Sequence, residues 1–117
     1  MSTRYETGLR GEIMAERYLT ELGMRCEARR YRAVDGEIDL VMLDGDTVVF
    51  VEVKSRPGKP SGSGLIAVTA NKRRRMTHAA QAYLIRQGWM DRPARFDVVE
   101  ISADGILHVP NAFMSWK

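Results

Sequence analysis

Apolar and polar residues follow two different periods along this chain, and the changes of period mark its elements. In two segments apolar residues recur every three or four positions, which is typical of amphipathic helices. Gly23 and Gly88 follow these segments and predict their ends. Four shorter runs rich in Val, Ile, Leu and Phe predict strands, and the alternating character of residues 24–32 predicts a fifth. The predicted order is α-β-β-β-α-β-β, with helices at about 7–22 and 69–87 (from Thr69 or Asn71) and strands at 24–32, 36–43, 48–54, 95–101 and 106–109.

The second and third predicted strands are joined by an Asp-Gly turn signal and predict a β-hairpin. Charged residues interrupt its apolar runs: Asp39 on the first strand, and Glu52 and Lys54 on the second. Because side chains alternate between the two faces of a strand, Glu52 and Lys54 share a face. A turn centred on Gly45-Asp46 places Asp39 opposite Glu52, and a turn centred on Asp44-Gly45 keeps the two close.

Both faces of this hairpin are rich in apolar residues, which indicates strands that are covered on both sides. One face carries Ile38, Leu40 and Met42 and is wholly apolar, whereas the other carries the charges among further apolar residues. An exposed face with ordinary salt bridges is the alternative. Two close carboxylates in apolar surroundings either share a proton or hold a cation. Oxygen ligands beside a lysine suit Mg²⁺ or Mn²⁺ bound together with a phosphate group.

The first predicted helix carries two glutamates on its core side. On a helical wheel, Glu12 lies about 160° from the polar direction and Glu16 about 120° from it. Glu12 is the stronger candidate for a buried carboxylate, and we expect it to join Asp39 and Glu52. The alternative is that one or both glutamates extend to the solvent at the edge of the helix.

Length and composition predict one domain over residues 1–117 that is large enough for a hydrophobic core. The single cysteine, Cys26, excludes an intramolecular disulfide bond and favours the reducing cytoplasm. Neither a secretory h-region nor a long apolar run occurs, so no membrane association is expected. Pro, Gly and Ser predict a flexible loop at about 55–67, directly after Lys54.

The formal net charge of +3 is distributed unevenly, because residues 53–90 hold eight basic residues and none of the 15 acidic ones. Four of these basic residues form a tract in the first turn of the second predicted helix, where positive charge is unfavourable unless anions bind. A solvated charge run is the alternative. We expect nucleic-acid contacts from Lys72, Arg73, Arg74, Arg75 and Arg56.

The order of elements, with Asp39 on one strand and Glu52-x-Lys54 on the next, resembles the PD-(D/E)XK nuclease core. More closely, the chain resembles the YraN family of small bacterial proteins, which is similar in turn to archaeal Holliday-junction resolvases. Arg30 and Ser63 depart from that family, which usually has Asn and an aromatic residue there. The resemblance extends over nearly the whole chain, on Gly11-Glu12, Ala15, Tyr18-Leu19, Gly36–Leu40, Phe50–Lys54, Arg56, Val68-Thr69, Lys72, Arg95–Val99 and Ala112-Phe113.

The resemblance implies an α/β fold with a restriction-endonuclease-like core, a central mixed sheet of about five strands and two flanking helices. It also implies a Mg²⁺- or Mn²⁺-dependent endonuclease acting on DNA, including branched or junction DNA. Asp39 and Glu52 would ligate the ion with the Val53 carbonyl, Glu12 would act through water or a second ion, and Lys54 would position the attacking water. A symmetric dimer would suit the cutting of two strands.

Two other interpretations stay open at this stage. A nucleic-acid-binding accessory domain could keep the fold and the basic tract with little or no turnover. A purely structural protein could keep the carboxylates without holding a metal ion.

Overall fold

The computed structural model describes residues 3–62 and 68–113 and arranges them as two helices on a five-stranded sheet. The elements follow the predicted order, although their ends differ by a few residues. Their bounds are α1 Arg4–Glu21, β1 Arg25–Ala33, β2 Gly36–Asp44, β3 Thr47–Arg56, α2 Ala70–Gln87, β4 Ala94–Ser102 and β5 Gly105–Val109.

The strands lie side by side in chain order, β1-β2-β3-β4-β5. The β3–β4 pair is parallel and the other three pairs are antiparallel, so the sheet is mixed. A parallel pair needs a crossover connection, and α2 lies in the connection between β3 and β4. The predicted α/β fold is therefore confirmed, and it is consistent with a restriction-endonuclease-like core.

Each helix covers a different face of the sheet, because each buries one apolar stripe. Ala15 and Leu19 of α1 pack in a cluster with alternate residues of the central strands, such as Met42 and Val51. On the other face α2 contributes the remaining large cluster, in which Tyr83 packs with Phe50 of β3. The central strands are thus buried on both sides, as their composition predicted.

Side chains and one glycine determine where the helices begin and end. The Thr3 hydroxyl accepts a hydrogen bond from the Glu6 N–H, so α1 begins at Arg4, earlier than predicted. Of the two candidate N-caps of α2, Thr69 takes the role by accepting from the Lys72 N–H. Gly88 ends α2 in the left-handed conformation with φ 73°, as predicted for a C-terminal cap.

The hairpin of β2 and β3 adopts the first of the two predicted registers. Leu43 pairs with Val48 and Val41 pairs with Phe50, which centres the turn on residues 45–46. The register of this hairpin follows from its short turn because a two-residue connection leaves no slack.

The regular alternation of faces fails at two points in β1, at a register shift between Cys26 and Ala28 and again at Arg30. Arg30 has φ 52°, a left-handed conformation that is uncommon outside glycine. As a result, Arg29 and Arg30 both bind glutamates of α1, and Tyr31 packs against Tyr83 of α2. Ile38, which pairs with Tyr31, packs in the same α2-side cluster. The prediction that Ile38 shares a face with Leu40 and Met42 was therefore wrong.

The loop after β3 begins later than predicted, since β3 continues through Arg56 and pairs there with Ser102 of β4. Residues 63–67, including Ser63-Gly64, and residues 114–117 lie outside the described residues. Phe113 stacks on Phe96 at 4.7 Å between ring centroids, which attaches the C-terminal segment to the sheet. Neither described helix is long and apolar enough to cross a membrane.

Candidate functional site

Asp39 and Glu52 meet where β2 and β3 separate. The pairing of these strands ends at Leu40 and Val51, one position before the two carboxylates. There Asp39 Oδ2 accepts a hydrogen bond from the Val53 N–H at 2.8 Å, in place of a backbone carbonyl of β2. Glu52 is buried with 4% of its surface exposed. Strand separation therefore brings two acidic side chains into a gap in the sheet.

The two carboxyl groups interact closely enough to share one proton. Burial, reinforced by the hydrogen bond to Glu52 and its charge, raises the pKa of Asp39 to about 9. Burial alone would also raise the pKa of Glu52, but the hydrogen bond with Asp39 and the ammonium of Lys72 lower it instead. In the metal-free protein at neutral pH, Asp39 is thus the protonated member of the pair and Glu52 the charged one.

Two lysines face the same oxygen of Glu52. The ammonium nitrogen of Lys72 lies 2.6 Å from Glu52 Oε2, and that of Lys54 lies 3.8 Å from it. The contact with Lys72 is short enough for a charge-assisted hydrogen bond, and it lowers the pKa of Glu52. The pKa of Lys54 is lowered by its burial and by the nearby ammonium of Lys72. Lys72 is therefore the main counter-charge of Glu52, and Lys54 is the more distant one.

Lys72 was predicted to contact nucleic acid, and the structure brings it into the carboxylate pair. Its backbone is held by the Thr69 cap in the first turn of α2, and its side chain is 40% exposed. On the sequence, Lys72 looked like the first of four equivalent basic residues. The signal that distinguishes it is its position directly after the Thr69 cap on a helix that packs over the Glu52 face.

A close approach between α2 and β2 permits this contact. A side chain at Gly36 would overlap the carbonyl oxygen of Arg75, so only glycine fits where β2 begins. Gly11 plays a similar part for α1, because an added Cβ would lie 2.7 Å from Ser55 Oγ. The two glycines thus allow the helices to lie against the sheet beside the carboxylates.

Glu12 approaches Asp39 from the other side of the sheet: the two residues line one pocket, and the charge of Glu12 helps to raise the pKa of Asp39. Helix α1 covers the face opposite to Glu52, and the Glu12 carboxylate binds Arg30, with Oε1 2.8 Å from Nε. Glu16 forms an equivalent pair with Arg29 at 2.6 Å. The helical wheel correctly directed both glutamates toward the sheet, but it could not identify which face of the sheet α1 covers.

The remaining predicted nucleic-acid residues point in several directions. The guanidinium of Arg73 lies 5.9 Å from the ring centroid of Phe113, and Arg74 hydrogen-bonds Asn71. Arg75 lines a groove of about 260 Å³ together with Lys72. Arg56 lines a second groove of about 580 Å³ on the α1 side, which also contains Arg4 and Glu12.

A small pocket of about 120 Å³ lies between these grooves, and Asp39 forms part of its wall. It shares Glu37 with the groove at α2 and Glu12 with the groove at α1. Arg30 and Arg32 also line this pocket and pair with Glu12 and Glu37, so it carries charges of both signs, whereas basic residues outnumber acidic ones in each groove.

Two buried acidic residues of β4 escaped the sequence analysis. Glu100 pairs in register with Lys54, and its Oε1 accepts from the Gly62 N–H at 2.6 Å. Asp97 is fully buried and binds Arg95, His108 and the Asn111 N–H. Both interrupt an apolar strand as Glu52 does, so the same reasoning could have identified them. Glu100 anchors the loop after β3, and Asp97 anchors the C-terminal segment.

The donors at the carboxylate pair fit a divalent cation only in part. Within residues 3–62 and 68–113, no three His, Cys, Asp or Glu side chains form a group able to hold a metal ion. Asp39 and Glu52 nonetheless place two carboxyl groups so close that Asp39 keeps its proton, and a cation bound between them would favour its charged form. Mg²⁺ commonly takes one or two carboxylates and completes its shell with water and phosphate.

Comparisons with known proteins agree on one family. A family model described as "Uncharacterised protein family UPF0102" matches residues 11–101. The chain is 45% identical over 111 residues to a UPF0102 protein of Geobacter sulfurreducens, covering 91% of this chain and 87% of the relative. It is 47% identical to one of Symbiobacterium thermophilum, with 91% and 94% covered. It is 42% identical to one of Stutzerimonas stutzeri, with 98% and 100% covered. The chain therefore belongs to the UPF0102 family, the YraN family that its motifs resemble.

Proposed function

We propose that this protein is a metal-dependent endonuclease that hydrolyses DNA phosphodiester bonds. One observation carries the proposal: Asp39 and Glu52 are paired in the gap between β2 and β3, with two lysine ammonium groups directed at Glu52. Buried acidic pairs of this kind are unfavourable by themselves and are common at functional sites.

A divalent cation held by Asp39 and Glu52 would supply Lewis-acid activation of a phosphodiester group. The protein supplies the surrounding charge. Lys54 presents a half-buried ammonium beside the pair, where it stabilises negative charge that develops on a phosphate. The N-terminus of α2 adds the positive end of a helix dipole on the same side.

The two grooves support a polynucleotide as the substrate rather than a single nucleotide. Basic residues line both, Lys72 and Arg75 on one side of the pocket at Asp39 and Arg4 and Arg56 on the other. A strand that crosses the pocket would have its neighbouring phosphates neutralised on both sides. Junction or other branched DNA is included in the proposal, and a dimer would provide a second cutting centre.

Cleavage assays on plasmid, single-stranded and four-way-junction DNA with Mg²⁺ or Mn²⁺ test the proposal. We expect cleavage by the wild type, and losses of about 100-fold or more for Asp39→Ala and Lys54→Ala. Asp91→Ala and Lys59→Ala, which alter exposed side chains outside the site, are the matched controls. Cleavage that persists in both site variants would overturn the proposal.

A second candidate is a nucleic-acid-binding accessory domain with little turnover. It is favoured by basic side chains of the protein that already pair with the acidic groups. Arg30 binds Glu12 and Lys72 binds Glu52, so both carboxylates are neutralised without a metal ion. Retained DNA binding with no cleavage of any of the three substrates would favour this candidate over the nuclease.

A further inference from the structure

Lys72 has access to two different anions. Its ammonium nitrogen lies 2.6 Å from Glu52 Oε2, yet its side chain is 40% exposed and lines the groove beside α2. A rotation about its side-chain bonds would move the ammonium from the carboxylate into that groove while the backbone stays capped by Thr69. Lys54 lacks this freedom, since its side chain is only 17% exposed.

The contact between Lys72 and Glu52 can be exchanged for another cation. It is a short ion pair at an oxygen that a second ammonium, that of Lys54, also approaches at 3.8 Å, so Glu52 keeps one counter-charge when Lys72 leaves. The ammonium also lies near enough to Asp39 for the two charges to interact, so it is close to both carboxyl groups that would hold a cation. Two cations at one buried oxygen repel each other strongly because the local dielectric constant is low.

We propose that Lys72 is an exchangeable counter-ion: a divalent cation at Asp39 and Glu52 displaces its ammonium, which then binds a phosphate group in the groove beside α2. This inference rests on the proposed function. It predicts that metal and nucleic acid bind cooperatively, since each stabilises the same displaced position of Lys72. In the metal-free protein, Lys72 compensates the charge of Glu52.

Mn²⁺ titration by calorimetry, without DNA, tests the displacement itself. No lysine has to be displaced in Lys72→Met. We therefore expect this variant to bind Mn²⁺ more tightly than the wild type, with a dissociation constant lower by about fivefold or more. Lys72→Gln should show the same tighter Mn²⁺ binding. Arg86→Met, which changes the last turn of the same helix, should bind Mn²⁺ with the dissociation constant of the wild type. A lysine that merely supported the site would give the opposite sign, with weaker binding on its removal.

The second measurement is the affinity for a fluorescent DNA duplex with Ca²⁺ or with EDTA. Ca²⁺ should strengthen binding by the wild type about fivefold or more, and this gain should be lost in both Lys72 variants. If the wild type binds Mn²⁺ but the Lys72 variants bind it equally or more weakly, the exchange is overturned and the proposed function stands. If the wild type binds no Mn²⁺, both fail.

Discussion

At the scale of single residues, Asp39 and Glu52 share one environment but take different protonation states. Asp39 accepts a backbone N–H and is otherwise faced by the Glu52 carboxylate, so its charged form is disfavoured. Glu52 lies against two ammonium groups that favour its charged form. The position of the lysines therefore decides which carboxyl group keeps the proton.

This asymmetry predicts that the metal-free protein loses stability as the pH rises. The folded protein keeps the Asp39 proton up to about pH 9, whereas the unfolded chain releases it near pH 4. Between these values the folded state binds more protons, so the free energy of unfolding falls as the pH increases. The pKa of Glu52 is lowered instead, so its contribution has the opposite sign and is lost as the pH falls into the acid range.

Asp39→Asn should remove most of this fall in the free energy of unfolding with rising pH. The amide of Asn can donate a hydrogen bond to Glu52 and still accept one from the Val53 N–H. We expect the variant to be more stable by about 1–3 kcal/mol at pH 8, with a smaller difference at pH 5. Urea unfolding in EDTA at several pH values measures this. Parallel stability curves for the two proteins would contradict the prediction.

Arg30 is the other residue whose conformation matters locally. Its positive φ redirects β1 so that two successive arginines reach α1. Asparagine, which the resemblance to the YraN family sets at this position, tolerates that conformation better than arginine.

Two substitutions at Arg30 separate the backbone effect from the ion pair. Both Arg30→Asn and Arg30→Val remove the contact with Glu12, but only valine has a branched Cβ that resists positive φ. We expect Arg30→Val to be less stable than Arg30→Asn by about 1–2 kcal/mol in urea unfolding. Equal stabilities would show that β1 does not need the left-handed conformation.

At the scale of elements, the position of α2 depends on its contact with the start of β2. The carbonyl of Arg75 fills the space where Gly36 has no side chain, one turn beyond Lys72. The same helix contributes Met76 and Tyr83 to the core, which holds it over the Glu52 face. The reach of Lys72 to Glu52 is therefore a consequence of helix packing.

Gly36→Ala should force α2 away from β2 and weaken the contact between Lys72 and Glu52. We expect a loss of about 1–3 kcal/mol in the free energy of unfolding, as for other overpacked sites. Gly8→Ala is the matched control, since a Cβ there meets nothing within 4 Å, and it should stabilise α1 by about 0.5–1 kcal/mol. An unchanged free energy of unfolding in Gly36→Ala would show that the close approach of α2 to β2 does not constrain the helix.

At the scale of the whole molecule, charge is distributed unevenly along one surface. Paired acidic and basic groups line the central pocket beside Asp39, and basic residues outnumber acidic ones in the grooves on its two sides. Such a surface attracts a polyanion and directs it across the carboxylates. The formal net charge of +3 alone does not show how these charges are distributed over the surface.

Salt dependence of DNA binding tests whether both grooves contact phosphates. In the wild type, the logarithm of affinity should fall linearly with the logarithm of salt concentration. Arg56→Ala and Arg75→Ala should each reduce the slope by about 0.9, the value for one phosphate contact. Arg86→Ala should leave the slope unchanged. A change for only one of the two arginines would restrict the DNA to one groove.

Much of the fold was predictable because its signals are local. Hydrophobic periods identified all seven described elements, and residues adjacent to the helices, such as Thr69 and Gly88, determined where they begin or end. Ile38 was assigned to the wrong face because strict alternation does not anticipate the positive φ of Arg30 in the neighbouring strand. Glu100 and Asp97 were overlooked although they carry the same signal as Glu52.

By itself, the sequence determined that Asp39 and Glu52 face each other, because a short turn and the two-residue period of strands leave few other registers. Only the tertiary structure decided which cations meet them. Glu12 pairs with Arg30 on the face covered by α1, and Lys72 reaches Glu52 on the face covered by α2. The physical reason is that a helix can bury its apolar stripe against either face of a sheet, and the choice depends on packing among residues far apart in the chain.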